Sequence, residues 1–282
     1  MKLLILGCGQ AGMEIARRAR ELGWQTVGTT TTPGRVEEIS TVVDEAVVLV
    51  GSDREAVKKA AEGVDAIVVS VSPSAVRSAQ KEDRARLYEE VLVEAGKSAA
   101  AASDRVVFMS SISVYGDGTQ EPRDFIDEDT PRAVGNGEPS TTFFAAGEDT
   151  ALALEKGTAL RFPDIYEAPD VFAGRVKLAH EYMGSSTPFA EEDAYHPISV
   201  EDAARAVIHA LQNDVYGAYN VVPDGKGHTT VGEFWHKIAD ASGQERLEFR
   251  GEIRTPLQPV VSGKFRGTGF TFLHEIDYIL PS

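Results

Sequence analysis

Short apolar runs alternate with helix-forming segments along roughly the first 110 residues of the chain. The runs predict β-strands at Leu3–Leu6, Thr26–Thr29, Val47–Val50, Ala66–Val71 and Val106–Met109. The segments between them predict helices at Ala11–Leu22, Arg35–Ser40, Arg54–Glu62 and Glu82–Ala95. Strands rich in Val, Ile and Leu that alternate with helices are typical of a parallel sheet covered on both faces. The pattern therefore predicts an α/β fold built on a doubly wound parallel sheet.

The pattern loosens after Ser110, and residues 116–140 are predicted to form a long loop. Further elements are predicted as helices at Thr142–Leu154, Val200–Leu211 and Val231–Ala241 and as strands at Ala159–Phe162 and Ala218–Val222. Thr229 or Thr230 is expected to cap the last of these helices, and the tail from Leu247 has no clear pattern. We therefore expect a core of residues 1–165, to which residues 200–222 return, and a smaller C-terminal lobe of residues 166–199 and 223–282.

Acidic residues outnumber basic ones, since 44 Asp and Glu stand against 28 Lys and Arg, and the net charge is −16. Nucleic acids and anionic membranes require a cationic surface, so we expect neither as a partner. The single cysteine excludes an internal disulfide framework and suits a reducing compartment. No apolar stretch approaches the roughly 18 residues that span a bilayer. We therefore predict a soluble, cytoplasmic protein.

The basic residues divide into 18 Arg and 10 Lys. High acid content with scarce lysine is typical of proteins from concentrated salt, where screening over about 3 Å relieves self-repulsion. An ordinary acidic surface is the alternative, and the composition leaves both open. The six His and one Cys show no metal-ligand spacing such as H-x-x-x-H or C-x-x-C, so no metal site is predicted.

Residues Gly7–Gly12 read G-x-G-x-x-G and stand between a predicted strand and a predicted helix. In such motifs the first glycine allows a tight turn, the second lets a pyrophosphate approach the backbone, and the third lets the helix pack on the strand. These glycines are Gly7, Gly9 and Gly12, while Gln10 and Ala11 begin a helix whose free N–H groups favour anions. The sequence therefore predicts a Rossmann-like dinucleotide site.

The residues after the second predicted strand bear on which dinucleotide is bound. Sites for NAD usually place an Asp or Glu there to bind the ribose 2′-hydroxyl. Here Gly28–Arg35 contains no carboxylate but has hydroxyls, including those of Thr29 and Thr30, and one arginine. Arg35 is suited to bind a 2′-phosphate bidentately, so NADP(H) is predicted over NAD(H). Ser70 is expected either to face the same crevice or to satisfy local backbone groups.

Several segments resemble one known family. Ser110–Gly116 is similar to the S-S-x-x-V-Y-G segment of the extended short-chain dehydrogenases/reductases, the NAD-dependent epimerase/dehydratase group. Further segments resemble that family in the same order, namely Glu128–Pro131 (E-x-x-P), Leu160–Tyr166 (L-R-x-x-x-I-Y-G, with Glu167 in place of Gly), Ile198–Asp202 (I-H-V-x-D, with Ser199 in place of His) and Tyr219–Val222. The resemblance implies a Rossmann-like fold with a C-terminal substrate lobe, a nicotinamide cofactor and a small-molecule substrate.

The resemblance also implies a catalytic set of Ser, Tyr and Lys. Ser111 matches the serine, Tyr115 is a candidate for proton transfer, and Tyr166 is expected to pack under the nicotinamide. The Tyr-x-x-x-Lys pair itself is absent, because no Tyr in the chain has a Lys four residues later. Tyr166 and His196 are further candidates for the missing proton donor.

The position of the missing pair follows from the same resemblance. If Glu148 takes the place of the family's helix glutamate, Ser140 and Phe144 stand where Tyr and Lys are expected. A shifted register puts Phe143 and Gly147, or Phe144 and Glu148, at those two positions. A phenyl ring cannot shuttle a proton, so the chain resembles the atypical branch that keeps the dinucleotide fold without the pair.

Two functions therefore stay open. The first is an NAD(P)-binding oxidoreductase or epimerase that acts on a small carbonyl or a nucleotide-sugar-like substrate, and the retained serine segment favours it. The second is a non-catalytic dinucleotide-binding sensor or partner-binding module, which the missing pair favours. A homodimer is expected because it is the commonest symmetric assembly.

Overall fold

The computed structural model describes residues 1–71, 81–118, 123–135, 139–224, 229–275 and 279. The strands are β1 (Lys2–Leu6), β2 (Gln25–Thr30), β3 (Glu45–Val48), β4 (Ala66–Val69), β5 (Arg105–Ser111), β6 (Lys156–Phe162), β7 (Ile165–Tyr166), β8 (Ser186–Phe189), β9 (Ala194–Tyr195), β10 (Ile198–Ser199), β11 (Gly217–Asn220), β12 (Thr229–Thr230) and β13 (Glu248–Ile253). The helices are α1 (Gln10–Glu21), α2 (Val36–Ser40), α3 (Arg54–Ala60), α4 (Lys81–Tyr88), α5 (Ala95–Ala102), α6 (Pro139–Leu152), α7 (Val171–Tyr182), α8 (Val200–Gln212), α9 (Val231–Ala241) and α10 (Gly263–Arg266). Two 3₁₀ turns, Pro33–Arg35 and Ile112–Tyr115, precede α2 and follow β5, and a π-helical turn, Glu89–Glu94, joins α4 to α5.

The central sheet has seven strands in the order β11-β6-β5-β4-β1-β2-β3, and every neighbouring pair is parallel. The chain moves outward from β1 to β3 and then crosses to β4 on the other side of β1. This arrangement confirms the predicted α/β, Rossmann-like, doubly wound fold. Because the strand order reverses between β1 and β4, a crevice opens there at the carboxyl ends of the strands.

Alternation along β1 assigns its side chains to the two faces of the sheet. Leu3 and Ile5 lie in one buried apolar cluster together with residues of α1 and α8. Leu4 and Leu6 lie in a second cluster together with residues of α3 and α5. Both faces of the sheet are therefore covered, which explains why its strands read as nearly continuous apolar runs.

Three two-stranded sheets lie outside the central sheet and pair β10 with β7, β12 with β9, and β13 with β8. A separate apolar cluster contains side chains of α7 and α9, including Phe172, Val176, Phe234 and Trp235. Residues 200–222 contribute α8 and β11 to the layers of the central sheet. The domain boundaries expected from the sequence stay a prediction.

Several predicted boundaries were wrong. The helix expected at Glu82–Ala95 continues through α5 to Ala102, since alanine favours helix without adding an apolar pattern. The third strand spans Glu45–Val48 instead of Val47–Val50, because β2 ends at Thr30 and pairs with β3 only up to Val48. The helix α7 and the strands of the C-terminal lobe were not predicted. Residues 119–122 and 136–138 of the predicted long loop lie outside the described residues.

The start of α9 is set by the second of the two threonines proposed as its cap. The Thr230 hydroxyl accepts a hydrogen bond from the Glu233 N–H, and the Glu233 carboxylate accepts one from the Thr230 N–H. This reciprocal pair satisfies two N–H groups that a helix start leaves unpaired.

Candidate functional site

The loop between β1 and α1 requires glycine at two of its three motif positions. Gly7 has φ +91°, and a Cβ built there would lie 3.0 Å from Val71 Cα. A Cβ on Gly12 would lie 2.4 Å from the carbonyl oxygen of Gly7, which is closer than real Cβ contacts allow. The fold itself therefore explains Gly7 and Gly12, through a left-handed turn and a close approach of helix and loop.

Gly9 has no such explanation within the chain. It is the N-cap of α1 with φ −76° and ψ −162°, a backbone conformation that other residues also adopt. No atom of the residues that the structure describes lies within 4 Å of the position that a Cβ would take there. No side chain caps α1, and its first turn contains no acidic residue. Since the first N–H groups of a helix seek an acceptor, this open cradle fits a pyrophosphate.

A cleft of about 280 Å³ adjoins the glycine loop at the carboxyl ends of β1 to β4. Its lining includes Gly7–Gly9, Thr29–Thr31, Arg35, Leu49–Ser52 and Ser70–Val71. The predicted cofactor residues Gly7, Gly9, Thr29, Thr30 and Arg35 thus share one cleft with Ser70. Two of the residues predicted at the third and fourth strand ends, Val50 and Val71, line this cleft and are not part of a strand.

The hydroxyls at the end of β2 hold the loop in place. Thr29 Oγ1 accepts a hydrogen bond from the Gly7 N–H at 2.9 Å, and the Thr29 carbonyl accepts one from the Cys8 N–H at 2.7 Å. Thr30 Oγ1 accepts from the Thr32 N–H at 3.1 Å. The Ser70 hydroxyl donates to the Gly7 carbonyl at 2.7 Å, so it satisfies backbone groups while it also lines the cleft.

Arg35 ends the 3₁₀ turn that follows β2, and its side chain is 36% exposed. Its Nε donates to Glu38 Oε2 at 2.9 Å and its Nη2 to Glu38 Oε1 at 3.2 Å. These hydrogen bonds to Glu38 raise the pKa of Arg35. A phosphate that binds Arg35 in the cleft would therefore share its guanidinium with the carboxylate of Glu38.

Cys8 belongs to the glycine loop, between Gly7 and Gly9, and is 1% exposed. Burial raises the pKa of its thiol to about 11. At pH 8 we expect native Cys8 to react with iodoacetamide at least about 100-fold more slowly than in the urea-unfolded chain, because the thiolate is the nucleophile. The rate should rise with pH as the thiol ionises, and mass spectrometry follows the adduct. Equal rates in the native and unfolded chain would contradict this prediction.

The two predicted catalytic residues lie in different surroundings. Ser111 ends β5 and caps the following 3₁₀ turn, where its hydroxyl accepts from the Ser113 N–H at 3.1 Å. Tyr115 is 1% exposed, and its hydroxyl donates to Asn220 Oδ1 at 2.7 Å and accepts from Arg161 Nη1 at 2.7 Å. Burial raises the pKa of Tyr115 to about 12. This environment favours a structural role for Tyr115 over proton transfer.

Arg161 connects Tyr115 to a buried carboxylate on α6. Its Nε and Nη2 each donate to one oxygen of Glu148 at 2.8 Å, and the two side chains are 5% and 0% exposed. Glu148 also accepts from the Ser110 hydroxyl at 2.7 Å and from Arg132 Nη1 at 3.2 Å. Burial is the largest influence on the pKa of Arg161 and lowers it, but the hydrogen bonds and charge interactions with Glu148 and Tyr115 together outweigh burial, so the pKa is raised.

The other two proton-donor candidates are buried as well. Tyr166 is 1% exposed, and its ring lies 5.2 Å from that of Phe172 in the apolar cluster of the lobe. A contact of Tyr166 with the nicotinamide stays a prediction. His196 lies between β9 and β10, is 5% exposed, and its Nε2 accepts from the Val260 N–H at 3.2 Å.

Gln10 and Ala11 form the first turn of α1 as predicted. The Gln10 side chain reaches beyond its own helix, because its amide donates to the carboxylate of Glu167, the residue after β7. Glu167 is the residue that departs from the glycine of the resembling segment.

Two other kinds of feature are absent from the described residues. Within those ranges, no group of three His, Cys, Asp or Glu side chains is placed to hold a metal ion. Among those same residues, no helix combines the length and apolarity needed to cross a membrane.

A family model described as "NAD dependent epimerase/dehydratase family" matches residues 3–143, which is half of the chain. The chain belongs to the NAD dependent epimerase/dehydratase family. This membership confirms the resemblance drawn from the sequence. Protein YeeZ of Escherichia coli K12 is 25% identical over 294 residues, and the match covers 99% of this chain and 98% of that protein.

Solved structures of this superfamily share the fold. UDP-glucose-4-epimerase from Stenotrophomonas maltophila, with bound NAD and formylated UDP-arabinopyranose, has a TM-score of 0.77 at 17% identity and covers 99% of this chain and 95% of its own. dTDP-glucose 4,6-dehydratase from Bacillus anthracis, in complex with NAD, has a TM-score of 0.76 at 16% identity, with coverage of 99% and 93%. A short-chain dehydrogenase/reductase from Agrobacterium tumefaciens with bound NAD has a TM-score of 0.74 at 21% identity, with coverage of 99% and 95%.

The chain belongs to the epimerase/dehydratase family but lacks its Tyr-x-x-x-Lys pair, and the structure describes the residues near that position. With Glu148 at the helix glutamate, Phe144 stands at the position of the lysine. Its side chain is partly buried against an apolar cluster that includes Tyr115. In that register, an apolar contact would occupy the place where the family pattern has a cation.

Sequence reasoning missed two features of this family member. The Arg161–Glu148 pair had one signal, because an arginine within the apolar run of β6 needs a buried partner. The Gln10–Glu167 contact had no local signal, since the two residues are 157 positions apart.

Proposed function

We propose that the chain binds a nicotinamide dinucleotide along the carboxyl edge of its central sheet. The observation that carries this proposal is the glycine geometry, in which Gly7 and Gly12 serve the fold and Gly9 faces open space. The pyrophosphate then lies on the N-terminus of α1, and the adenosine half lies in the cleft beside β2. The nicotinamide half extends across β4 toward β5, because the strand order reverses between β1 and β4.

We further propose that the chain is an oxidoreductase or epimerase of the atypical short-chain dehydrogenase type. The bound cofactor supplies a hydride donor or acceptor. Ser111, at the carboxyl end of β5, is the proposed contact for a substrate oxygen. A small carbonyl or nucleotide-sugar-like substrate is supported by family membership and by the nucleotide sugars named with the similar structures.

NADP(H) is the proposed cofactor in preference to NAD(H). At the end of β2 the cleft is lined by Thr30, Thr31 and Arg35, whereas Glu90 reaches the same cleft from the π-helical turn. The bidentate geometry that Arg35 now offers to Glu38 is also the geometry that binds a phosphate.

Substitution of Arg35 tests this preference. We expect Arg35→Ala to weaken NADP⁺ binding by about 10-fold and to leave NAD⁺ binding within about 2-fold, because a charge-assisted contact to the 2′-phosphate is lost. Isothermal titration calorimetry gives both dissociation constants. Arg250→Ala is the matched control, since Arg250 also pairs with a glutamate and is 38% exposed. Equal losses for the two nucleotides would refute the proposed role of Arg35.

A second function is favoured by the surroundings of Tyr115 and Phe144. The phenol of Tyr115 is buried, and Phe144 is an apolar side chain at the lysine position when Glu148 is taken as the helix glutamate. This supports a dinucleotide-binding sensor or partner-binding module without turnover. Consumption of NADPH with any member of a panel of aldehydes, ketones and nucleotide sugars would favour the enzyme, whereas binding without turnover across the panel would favour the second function. A homodimer stays a prediction for either one.

A further inference from the structure

One side-chain contact joins the glycine loop to the C-terminal lobe. Gln10 is the first residue of α1, and its amide donates to the carboxylate of Glu167. Both residues are exposed at the surface. The contact therefore lies at the exposed start of α1, next to Gly9. We call the open space beside Gly9 and the first N–H groups of α1 the phosphate groove, and the contact lies at its rim.

The position of this contact is fixed by the fold. β7 pairs with β10, and β10 leads directly into α8. α8 and α1 contribute side chains to the same buried cluster, which brings the residue after β7 next to the start of α1. Glu167 thus contacts the side chain of Gln10, the first residue of the helix whose N–H groups are proposed to bind the pyrophosphate.

The charge of Glu167 opposes an anion at that place. Across the part of the chain that the structure describes, no Lys or Arg forms an ion pair with Glu167, and its described partner is the neutral Gln10 amide. The carboxylate therefore adds local repulsion to that of a protein with net charge −16. A groove built only to retain a dinucleotide would gain affinity from a neutral residue here.

The two reaction types of such cofactors differ in whether the cofactor must leave the protein after each turnover. In an epimerisation that returns the hydride to the same substrate, the cofactor regains its starting state and needs no exchange. In a net reduction, the hydride passes from NAD(P)H to the carbonyl carbon, a proton passes to the oxygen, and NAD(P)⁺ must leave before the next turnover. Weaker binding of the dinucleotide phosphates suits a net reduction, because the oxidised cofactor must leave after each turnover.

We propose that Glu167, held at the rim of the phosphate groove by Gln10, keeps the dinucleotide exchangeable, so that the chain uses it as a co-substrate of a net redox reaction. This inference rests on the proposed dinucleotide binding. It assigns a cofactor-release role to a residue that departs from the family's glycine.

The test measures release of NADP⁺ by stopped-flow fluorescence and its affinity by calorimetry. We expect Glu167→Gln, which keeps a hydrogen-bonding group but removes the charge, to lower the release rate and the dissociation constant by about 5-fold at low salt. At about 1 M KCl the difference should shrink below about 2-fold, because the Debye length falls to about 3 Å. The control is Glu62→Gln, since Glu62 is exposed and lies beside Lys2 at the amino end of β1.

A second variant separates the charge from the contact that holds it. Gln10→Ala leaves the carboxylate in place but frees it to turn into solvent, so release should slow by a smaller factor than in Glu167→Gln. No change, or faster release, in Glu167→Gln at low salt overturns the role of Glu167. A wild-type protein that binds no dinucleotide refutes the proposed function itself, whereas a wild-type protein that binds and behaves like Glu167→Gln refutes the inference alone.

Discussion

Glu148→Ala is expected to lower the free energy of unfolding by about 3–5 kcal/mol, the cost of leaving a buried charge without its partner. The wild-type carboxylate is 0% exposed and meets both Nε and Nη2 of Arg161 at 2.8 Å. Without Glu148, the guanidinium of Arg161 stays buried and, among the described residues, keeps its bond to the Tyr115 hydroxyl alone. Urea denaturation followed by circular dichroism measures the change.

Asp149→Ala is the matched control for this prediction. Asp149 is the next residue of α6 and accepts from Arg132 at 2.8 Å, but its side chain is 61% exposed. Exposed ion pairs contribute little, so the loss should stay below about 1 kcal/mol. The variant Glu148→Met, Arg161→Met removes both charges and should recover part of the stability lost in Glu148→Ala. Equal decreases in the free energy of unfolding for Glu148→Ala and Asp149→Ala would show that the buried pair stabilises the fold no more than an exposed pair does.

Gly9→Ala is expected to weaken dinucleotide binding by at least about 30-fold while the free energy of unfolding stays within about 1 kcal/mol of the wild type. The added Cβ meets no atom of the described part of the chain within 4 Å. It would stand where we propose that the pyrophosphate approaches the first N–H groups of α1, so we expect the loss to fall on the ligand alone. Calorimetry with NADP⁺ and urea denaturation measure the two quantities.

Gly12→Ala adds the same methyl group at a position where the fold leaves no space for it. Its Cβ would lie 2.4 Å from the Gly7 carbonyl oxygen, so the loop or α1 must shift. We expect a loss of about 1–3 kcal/mol in stability together with weaker binding. If Gly9→Ala bound NADP⁺ as tightly as the wild type, the glycine loop would not be the phosphate site.

The sequence predicted those parts of the molecule that depend on neighbouring residues. The order of strands and helices over the first half of the chain follows from local apolar periodicity, and the glycine loop follows from the spacing of Gly7, Gly9 and Gly12. Both were confirmed as structure, because a strand, a tight turn and a helix start are decided within a few residues.

Features made by distant residues escaped prediction for a physical reason. Tyr115 matches a family segment, yet its environment is set by Arg161 and Asn220, which come from β6 and β11. The Gln10–Glu167 contact depends on β7, β10 and α8 all taking their places. A pattern of spacing along the chain records neither the burial of a phenol nor the approach of two surface side chains.

The contact between α1 and α8 also has a consequence for biosynthesis. Ile15, Ala16 and Ala19 are buried against a cluster that includes Val207 and Ile208, which are translated almost two hundred residues later. Until α8 leaves the ribosome, these side chains of α1 and the face of β1 beside them lack part of their apolar cover. Non-local burial of this kind delays folding and exposes the growing polypeptide to aggregation and to chaperones.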